Sequence, residues 1–557
     1  MGSEATVQAR CGLMHLHGRD LGRPRRIGLE VASVAAGLLA AQGTLAALIG
    51  RARGFSVTAV ETSVLQAGLM LVSHFVAAAT GTDEWVPAPA GPAPGPPFRT
   101  ADGHWVEIET LDPEAWKAFW CQLGAAGSDL GRAWALFRAR YYRSSCSLAA
   151  GMHEATARHT LTEISRVAGE CRVSLTPVRL PSEVLAQPGW SSGIPVVEPW
   201  QQAHDDKAPP KAPVKTPGQL PLEGIRVVEA TTRMQGPLAG LLLQMLGAHV
   251  MKVEPPGGDF GRIVPPLAGD TGSFFLCFNR GKETVEIDLT QPSGRSALVE
   301  LVEDADVFLH NWRPGKAAEW GLDAVDLLEA NPRLVYTEAS GWGDVAVQRH
   351  LIGTDFLVQA YAGLGAAIRP QDDPPVPTRV IVVDFAGALI GAEGALRGLY
   401  QRERTGRGAK VRTSLLQGAM ALQDHVLGAL ARGEEATGRS AGRPVWGPLD
   451  QPVPAADGLV VVTVEDDSEL KRLCRVCGVD VDANADRSDI ELLLNDRLAS
   501  ESAAHWEKEL TDAGIPCAAL ALEEELATMA RDPRFSHLFE TLAGPSLVPN
   551  APWRFSS

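Results

Sequence analysis

The chain has 557 residues, room for three or four domains of about 150 residues each, which excludes a single small module. Apolar residues at 45%, charged residues at 21% and 56 Gly with 39 Pro describe a folded, turn-rich globular chain and exclude a disordered one. A formal charge of −16 excludes a surface that coats nucleic acid, so an anionic ligand would need a local basic pocket.

Residues 1–10 lack the charged and apolar regions of a signal peptide, and eight cysteines in this length are sparse; both point to the reducing cytosol. Residues 27–50 are apolar enough to raise a membrane helix, but Glu30, Gln42 and the many Ala and Gly favour a buried helix. A repeat supports that choice. Ala41, Gly43, Leu48, Arg51, Val60, Ser63, Leu65 and Gln66 recur as Ala392, Gly394, Leu399, Arg402, Val411, Ser414, Leu416 and Gln417, at a constant offset of 351. Further on, Ala101-Asp102-Gly103 before a strand over 104–109 recurs as Ala456-Asp457-Gly458 before a strand over 459–465, offset by 355. Two copies of one unit are present, and the first lacks a long α/β stretch that precedes the second.

Residues 201–218 are polar and rich in Pro and Lys, which reads as a linker. The domain plan is a truncated copy over 1–205, a linker over 206–219, a large domain over 220–430, and a second small domain with a C-terminal return over 431–557. After the linker, strands are predicted over 225–228, 249–253, 284–288, 307–309, 334–337 and 380–383, with helices between them over 237–246, 294–302 and 322–330. This order predicts an α/β fold: a doubly wound, mostly parallel, Rossmann-like sheet in the large domain plus a smaller α+β domain that is duplicated. Neither Gly-x-Gly-x-x-Gly nor a P-loop is present. Cys474 and Cys477 fall on an apolar helical pattern with Leu470 and Leu473, so packing is expected of them; no metal site is indicated.

Asp384 follows the β-branched run 380–383 and precedes a long Ala/Gly-rich helix. A carboxylate at that helix N-terminus would be held ionised by free amides and the dipole, as a nucleophile or base requires, although Asp is also a common plain cap. Asp355 precedes another helical run and is open to the same two readings. Basic residues that could meet a polyphosphate are Arg262, Arg280, Lys282 and Arg313, all near element ends.

Taken in order, 222–228 (LEGIRVV), Gly236-Pro237, 246–254 (LGAHVMKVE), Asn279-Arg280-Gly281-Lys282, 311–315 (NWRPG), 331–336 (NPRLVY), Gly341-Trp342-Gly343, Asp384 and 405–408 (TGRG) resemble the class III CoA-transferase (CaiB/BaiF) family, which includes formyl-CoA transferases and α-methylacyl-CoA racemases. The resemblance covers about residues 220–555, and copy one is similar to the family's later half. It implies transfer of CoA from an acyl-CoA to a carboxylic acid, with coenzyme A entering as the co-substrate thioester. Asp384 would form a mixed anhydride and then an aspartyl-CoA thioester, with Asp355 as a second carboxylate. Lys252, Arg262, Arg280, Lys282, Arg313, Met234 and Gln235 fall on the motifs that would hold CoA. Oxyanion donors are expected from the helix after Asp384 and from a glycine loop over 442–447.

Racemisation is the alternative within the family, and a silent acyl-CoA-binding relative the alternative outside enzyme function. The racemases carry Gly-His-Asp where this chain has Gly353-Thr354-Asp355, and threonine is no acid/base near pH 7. Several transferases have Gln where this chain has Met234, with Gln235 one step later. The offset of 351 takes Asp384 to Ser33, so no second active site is expected in copy one. Family members resemble interlocked rings of two chains, which implies either a homodimer or an intrachain pseudo-dimer, with no nucleic-acid or membrane partner.

Overall fold

The computed structural model describes residues 2–81, 95–125, 130–187, 193–200, 220–345, 351–480, 485–520 and 526–556. The predicted linker over 206–219 lies outside them. Copy one opens with α1 (Glu4–Arg10), started by a capping box between Ser3 and Thr6, and α2 (Leu13–Gly18). The long α3 (Val31–Ala52) is the predicted apolar helix, and it is followed by β1 (Ala59–Glu61) and α4 (Val64–Leu71), capped by Ser63. A small domain follows in which β2 (Phe98–Arg99), β3 (Trp105–Glu109) and β4 (Ser174–Pro177) form one antiparallel sheet, with α5 (Leu130–Arg143) between β3 and β4 in sequence. Trp116, Phe119, Trp120 and Phe137 fill its core. Copy one ends on β5 (Val196–Pro199).

The large domain then runs β6 (Arg226–Ala230), α6 (Gln235–Met245), β7 (His249–Glu254), β8 (Glu283–Glu286), α7 (Pro292–Glu303), β9 (Val307–His310), α8 (Ala324–Ala330) and β10 (Val335–Ser340). Copy two proper continues with α9 (Asp355–Tyr361), α10 (Val382–Thr405), β11 (Ala409–Ser414) and α11 (Leu415–Leu422). Its small domain contains β12 (Val453–Pro454), β13 (Leu459–Val462), α12 (Asp467–Cys477) and β14 (Cys517–Leu520), and the chain returns as β15 (Arg554–Ser556). Cys474 and Cys477 pack in that small domain's apolar core beside Leu470 and Leu473.

The central sheet has the order β8-β7-β6-β9-β10-β11-β5, parallel except for β5. The run over 380–383 is not one of its strands. Val382 already opens α10, and β11 takes the expected place beside β10. Four β-branched residues bounded by Arg and Asp look alike in a buried strand and in a fully buried helix start; here Val380 to Val383 are all at most 1% exposed. Small residues explain why α10 can lie flat on the sheet. A Cβ on Gly394 would sit 2.7 Å from Val411 Cγ1, and one on Gly398 would sit 2.5 Å from Val335 Cγ1.

The two copies embrace reciprocally within one chain. Strand β5 of copy one pairs antiparallel with β11 of copy two (Val197 opposite Val411), and β15 of copy two pairs antiparallel with β1 of copy one (Phe555 opposite Val60). Helices α3 and α10, equivalent in the repeat, pack on each other, with Gln42 Nε2 donating to Leu389 O at 2.9 Å. Copy one's β3 and β4 lie on α9, while β13 and β14 of copy two lie on α1, where Ala5 and Ala9, with Met14 of α2, meet Val461, Ala518 and Leu520. Helix α3 has the length and composition to cross a membrane, yet its buried face is spent on this contact.

Where α11 meets the start of α10, a Cβ on Gly418 would stand 2.6 Å from Gly387 N. Gly418→Ala is therefore expected to lower stability by about 1–3 kcal/mol, read as a drop in denaturant midpoint at unchanged slope.

Candidate active site

The N-terminus of α10 is organised by a carboxylate from another helix. Asp355, fully buried in the first turn of α9, accepts from Val383 N at 2.7 Å and Asp384 N at 2.8 Å through Oδ2. Its Oδ1 accepts from Gln359 Nε2 at 2.5 Å, and Gln359 is itself pinned to Thr378, donating to Thr378 O at 3.1 Å and accepting from Thr378 N at 2.9 Å. These bonds satisfy amides that a helix start leaves without intrahelical partners. Asp384 thus stands as the third residue of α10, half-buried, and it is not the cap.

Copy one repeats this network residue for residue at the 351 offset, with Glu4 in place of Asp355. Glu4 accepts from Ala32 N at 3.0 Å and Ser33 N at 2.8 Å, and Gln8 donates to Glu4 at 2.9 Å and to Ile27 O at 3.2 Å while accepting from Ile27 N. Ser33 occupies the Asp384 position, and its hydroxyl donates to Glu4 Oε2 at 2.6 Å. The carboxylate that holds the helix start is kept in both copies; the one presented by the helix is present only in copy two.

The helix start does not hold the Asp384 pKa down as expected, although the group is still ionised at neutral pH. Burial raises its pKa to about 6, against a smaller lowering by the Arg233 charge. Burial, then the Asp384 charge, also pushes Asp355 well above the usual carboxylate range, opposed by its three donors. The dipole of α10 is met by Asp355 rather than by Asp384.

The first strand-to-helix turn, 231–234, lies over this point. Arg233 adopts a left-handed φ of 68° there, which lifts its exposed side chain off the turn. Asn311 clamps the turn, donating to Thr232 O at 2.8 Å and accepting from Thr232 N at 3.0 Å. Met234 is completely buried at the start of α6, and Gln235 approaches Gly387 in α10 while donating to Ser340 O at 3.4 Å.

The predicted basic residues divide by burial. Lys282 Nζ donates to Glu229 Oε2 at 2.7 Å, Pro237 O at 2.8 Å and Asn279 Oδ1 at 3.1 Å; Lys252 Nζ donates to Thr231 O at 2.6 Å and lies 3.4 Å from Glu229 Oε1. All three charged groups are fully buried. Lys252 and Lys282 brace the turn from beneath. Desolvation lowers Lys282 to about 8, with Glu229 pulling the other way. Arg262 forms a two-armed pair with Glu254 at 2.8 and 2.7 Å, Arg280 reaches Glu540 at 3.2 Å and Pro549 O at 3.0 Å, and Arg313 is exposed beside Glu319 at 3.3 Å.

The glycine loop over 442–447 is not at this site. Arg439 ties Gly442 O to Ala367 O and to Gly28 O, and Gly447 lines a cavity of about 570 Å³ together with Arg26, Gly28 and Glu30 of copy one. Exchange of small domains carries it to the Ser33 side. The roof above Asp355 comes instead from copy one: the Tyr141 ring lies 4.7 Å from Phe356, and the Arg140 guanidinium lies 4.4 Å over the same ring. Tyr141 donates a short hydrogen bond to Glu109. Arg233, Gln359, Tyr141 and Glu229 were not anticipated from the sequence; the Gln8/Gln359 match at the repeat offset was the available signal for one of them.

A mostly parallel sheet whose first strand-to-helix turn meets a carboxylate on helix α10, beside a small domain from the other copy, defines an α/β enzyme with a ligand crevice at its strand ends. The sequence profile of CoA-transferase family III matches residues 1–218 and again 222–557, so the chain belongs to that family, in two copies. An acetyl-CoA:oxalate CoA-transferase of Acetobacter aceti is 32% identical over 360 residues, covering 62% of this chain and 91% of the relative. A succinyl-CoA:glutarate CoA-transferase of Mus musculus is 30% identical, covering 53% of this chain and 71% of the relative. Among solved structures, a CaiB/BaiF family protein from Brucella suis is 26% identical with a TM-score of 0.53, covering 61% of this chain and 93% of that one.

Proposed function

We propose that this enzyme transfers CoA between carboxylic acids through covalent intermediates on Asp384. The reading rests on one observation: of two equivalent helix starts built by the same carboxylate-glutamine network, only that of α10 presents a second carboxylate, half-buried and beside a cation. Asp384 Oδ attacks the thioester carbonyl, the C–S bond breaks, and CoA leaves as thiolate. The thiolate then attacks the aspartyl carbonyl of the anhydride, releasing the donor acid and leaving an aspartyl-CoA thioester. An acceptor carboxylate attacks that thioester, CoA leaves again, and its return to the acceptor acyl carbon yields the new acyl-CoA and free Asp384. Splitting the exchange conserves the thioester's free energy at every stage. Arg233 supplies positive charge where the carboxylate must ionise, and the amides of α10 and the roof from copy one limit water around it. Lys252, Lys282 and Asn311 would act by holding the turn, leaving Arg262, Arg280 and Arg313 as the rim cations for CoA phosphates. Thr354 offers no proton-transfer group at neutral pH, which disfavours racemisation.

The mechanism moves one oxygen of the acceptor onto Asp384 per turnover. With a carboxylate acceptor labelled by oxygen-18, the tryptic peptide holding Asp384 should gain label; turnover without label there would overturn the reading. The nucleophile must be ionised, so kcat/KM is expected to fall as pH drops through about 6. Arg233→Gln removes the charge that lowers this value, so the acid limb should move to higher pH, read from the pH profile of the variant.

A further inference from the structure

The seam between the copies carries a second group of charged residues that the transfer chemistry does not use. Arg369 follows Ile368, whose carbonyl accepts from Gly28 N at 3.1 Å, so it stands where the segments after α2 and after α9 meet. Its side chain is 6% exposed, forms no ion pair among the described residues, and leaves Nε without an acceptor. Arg379, 3% exposed, donates from Nε to Asp20 at 3.1 Å and from Nη2 to Pro96 O, yet its Nη1 is unpartnered. Arg25 pairs with Asp373 while its Nε is unpartnered, and both ring nitrogens of His17, 2% exposed, are unpartnered. Arg443 joins the group through carbonyls alone, donating to Arg369 O at 3.1 Å and Asp373 O at 2.7 Å.

Four guanidinium groups therefore face Asp20, Asp373 and, at the exposed edge beside Arg443, Asp372, so positive charge is still in excess. Burying such an excess without a counter-charge is costly, and buried donors ordinarily find acceptors. The orphaned guanidinium nitrogens can only donate, and although Asp373 Oδ2 beside Arg25 also lacks an aligned donor, the group as a whole is short of negative charge. Water would supply acceptors but not that charge. The mutual repulsion is felt: after burial itself, the charges of Arg25 and Arg379 help push Arg369 down to about 9. The charge felt by Asp384 is that of Arg233 and not of this group, although Arg379 lies 5.6 Å over the Phe356 ring beside Asp355.

We propose that Arg369, Arg379, Arg25 and His17 form a binding site for one small oxyanion, a carboxylate or a phosphate-type ion, that neutralises the seam between the two copies. An oxyanion fits better than a halide because guanidinium forks donate in parallel pairs to two oxygens. Binding there would tie copy one to copy two and raise the stability of the whole chain.

The test uses the full chain, stripped of anions by dialysis into a chloride buffer, with equilibrium dialysis of radiolabelled phosphate and, separately, radiolabelled acetate at constant ionic strength. Saturable binding of either near one per chain is expected, with a parallel rise in melting temperature; the ion that saturates identifies the source. Arg369→Met should weaken binding at least tenfold while transfer activity persists. If that variant fails to fold, His17→Leu provides the same readout. Absence of saturable binding of both ions to the wild-type chain overturns the proposal, as does unchanged affinity in a folded Arg369→Met chain.

Discussion

Asp384→Asn is expected to abolish CoA transfer, by at least about 10³-fold in kcat, and at the same time to make the protein more resistant to heat. The two effects share one cause. A carboxyl whose pKa rises from 3.8 to about 6 on folding binds more protons in the folded chain than in the unfolded chain between those values, so its stabilising influence is greatest at low pH and is lost as pH rises through about 6. At neutral pH the ionised side chain is a cost. A shift of this size corresponds to a ceiling of about 3 kcal/mol, and partial exposure reduces the expectation to about 1–2 kcal/mol. The amide keeps the shape and sheds that cost, so scanning calorimetry at pH 7.5 should show a higher melting temperature for the inactive variant, and the gap should close below pH 4. A helix-cap aspartate would behave in the opposite way, losing stability on replacement.

Arg140→Met should destabilise the chain by about 3–5 kcal/mol. The Arg140 side chain is completely buried, donating to Glu107 at 2.6 Å, Glu109 at 3.0 Å and Ile108 O at 3.2 Å. Removing it leaves two carboxylates in the core of copy one's small domain without a cation. The same guanidinium lies over Phe356, next to Asp355, so loosening copy one should lower activity in copy two. Adding Glu107→Gln and Glu109→Gln to Arg140→Met should recover most of the lost denaturant midpoint, because neutral amides no longer require the charge. If the single substitution shifts neither stability nor activity, the small domain of copy one is not the roof of the site.

Much of this arrangement was legible in the residues, and the parts that were not have physical reasons. The parallel strands β6, β7, β8, β9 and β10 announce themselves as short β-branched runs between turns, and the repeat is visible because Ala41-to-Gln66 and Ala392-to-Gln417 keep one register. The run over 380–383 misled because a buried helix start and a buried strand make the same demand on side chains. Exchange of the small domains was beyond local patterns: pairing of Val197 with Val411 and of Val60 with Phe555 depends on which copy each strand end reaches. That exchange placed the 442–447 loop by Gly28 and Glu30 and put Tyr141 over Phe356. Lys252 and Lys282 carry motif positions, but Glu229, an unremarked acid inside β6, decides that they work from beneath the turn.

In the proposed mechanism Asp384 carries acyl and CoA groups in succession. Incubation with a panel of acyl-CoAs, a quench in hydroxylamine and peptide mass spectrometry measure this directly: an aspartyl hydroxamate at Asp384, formed only when acyl-CoA is present, is the predicted result. Turnover with an unmodified Asp384 peptide, or trapping confined to a different residue, would contradict it.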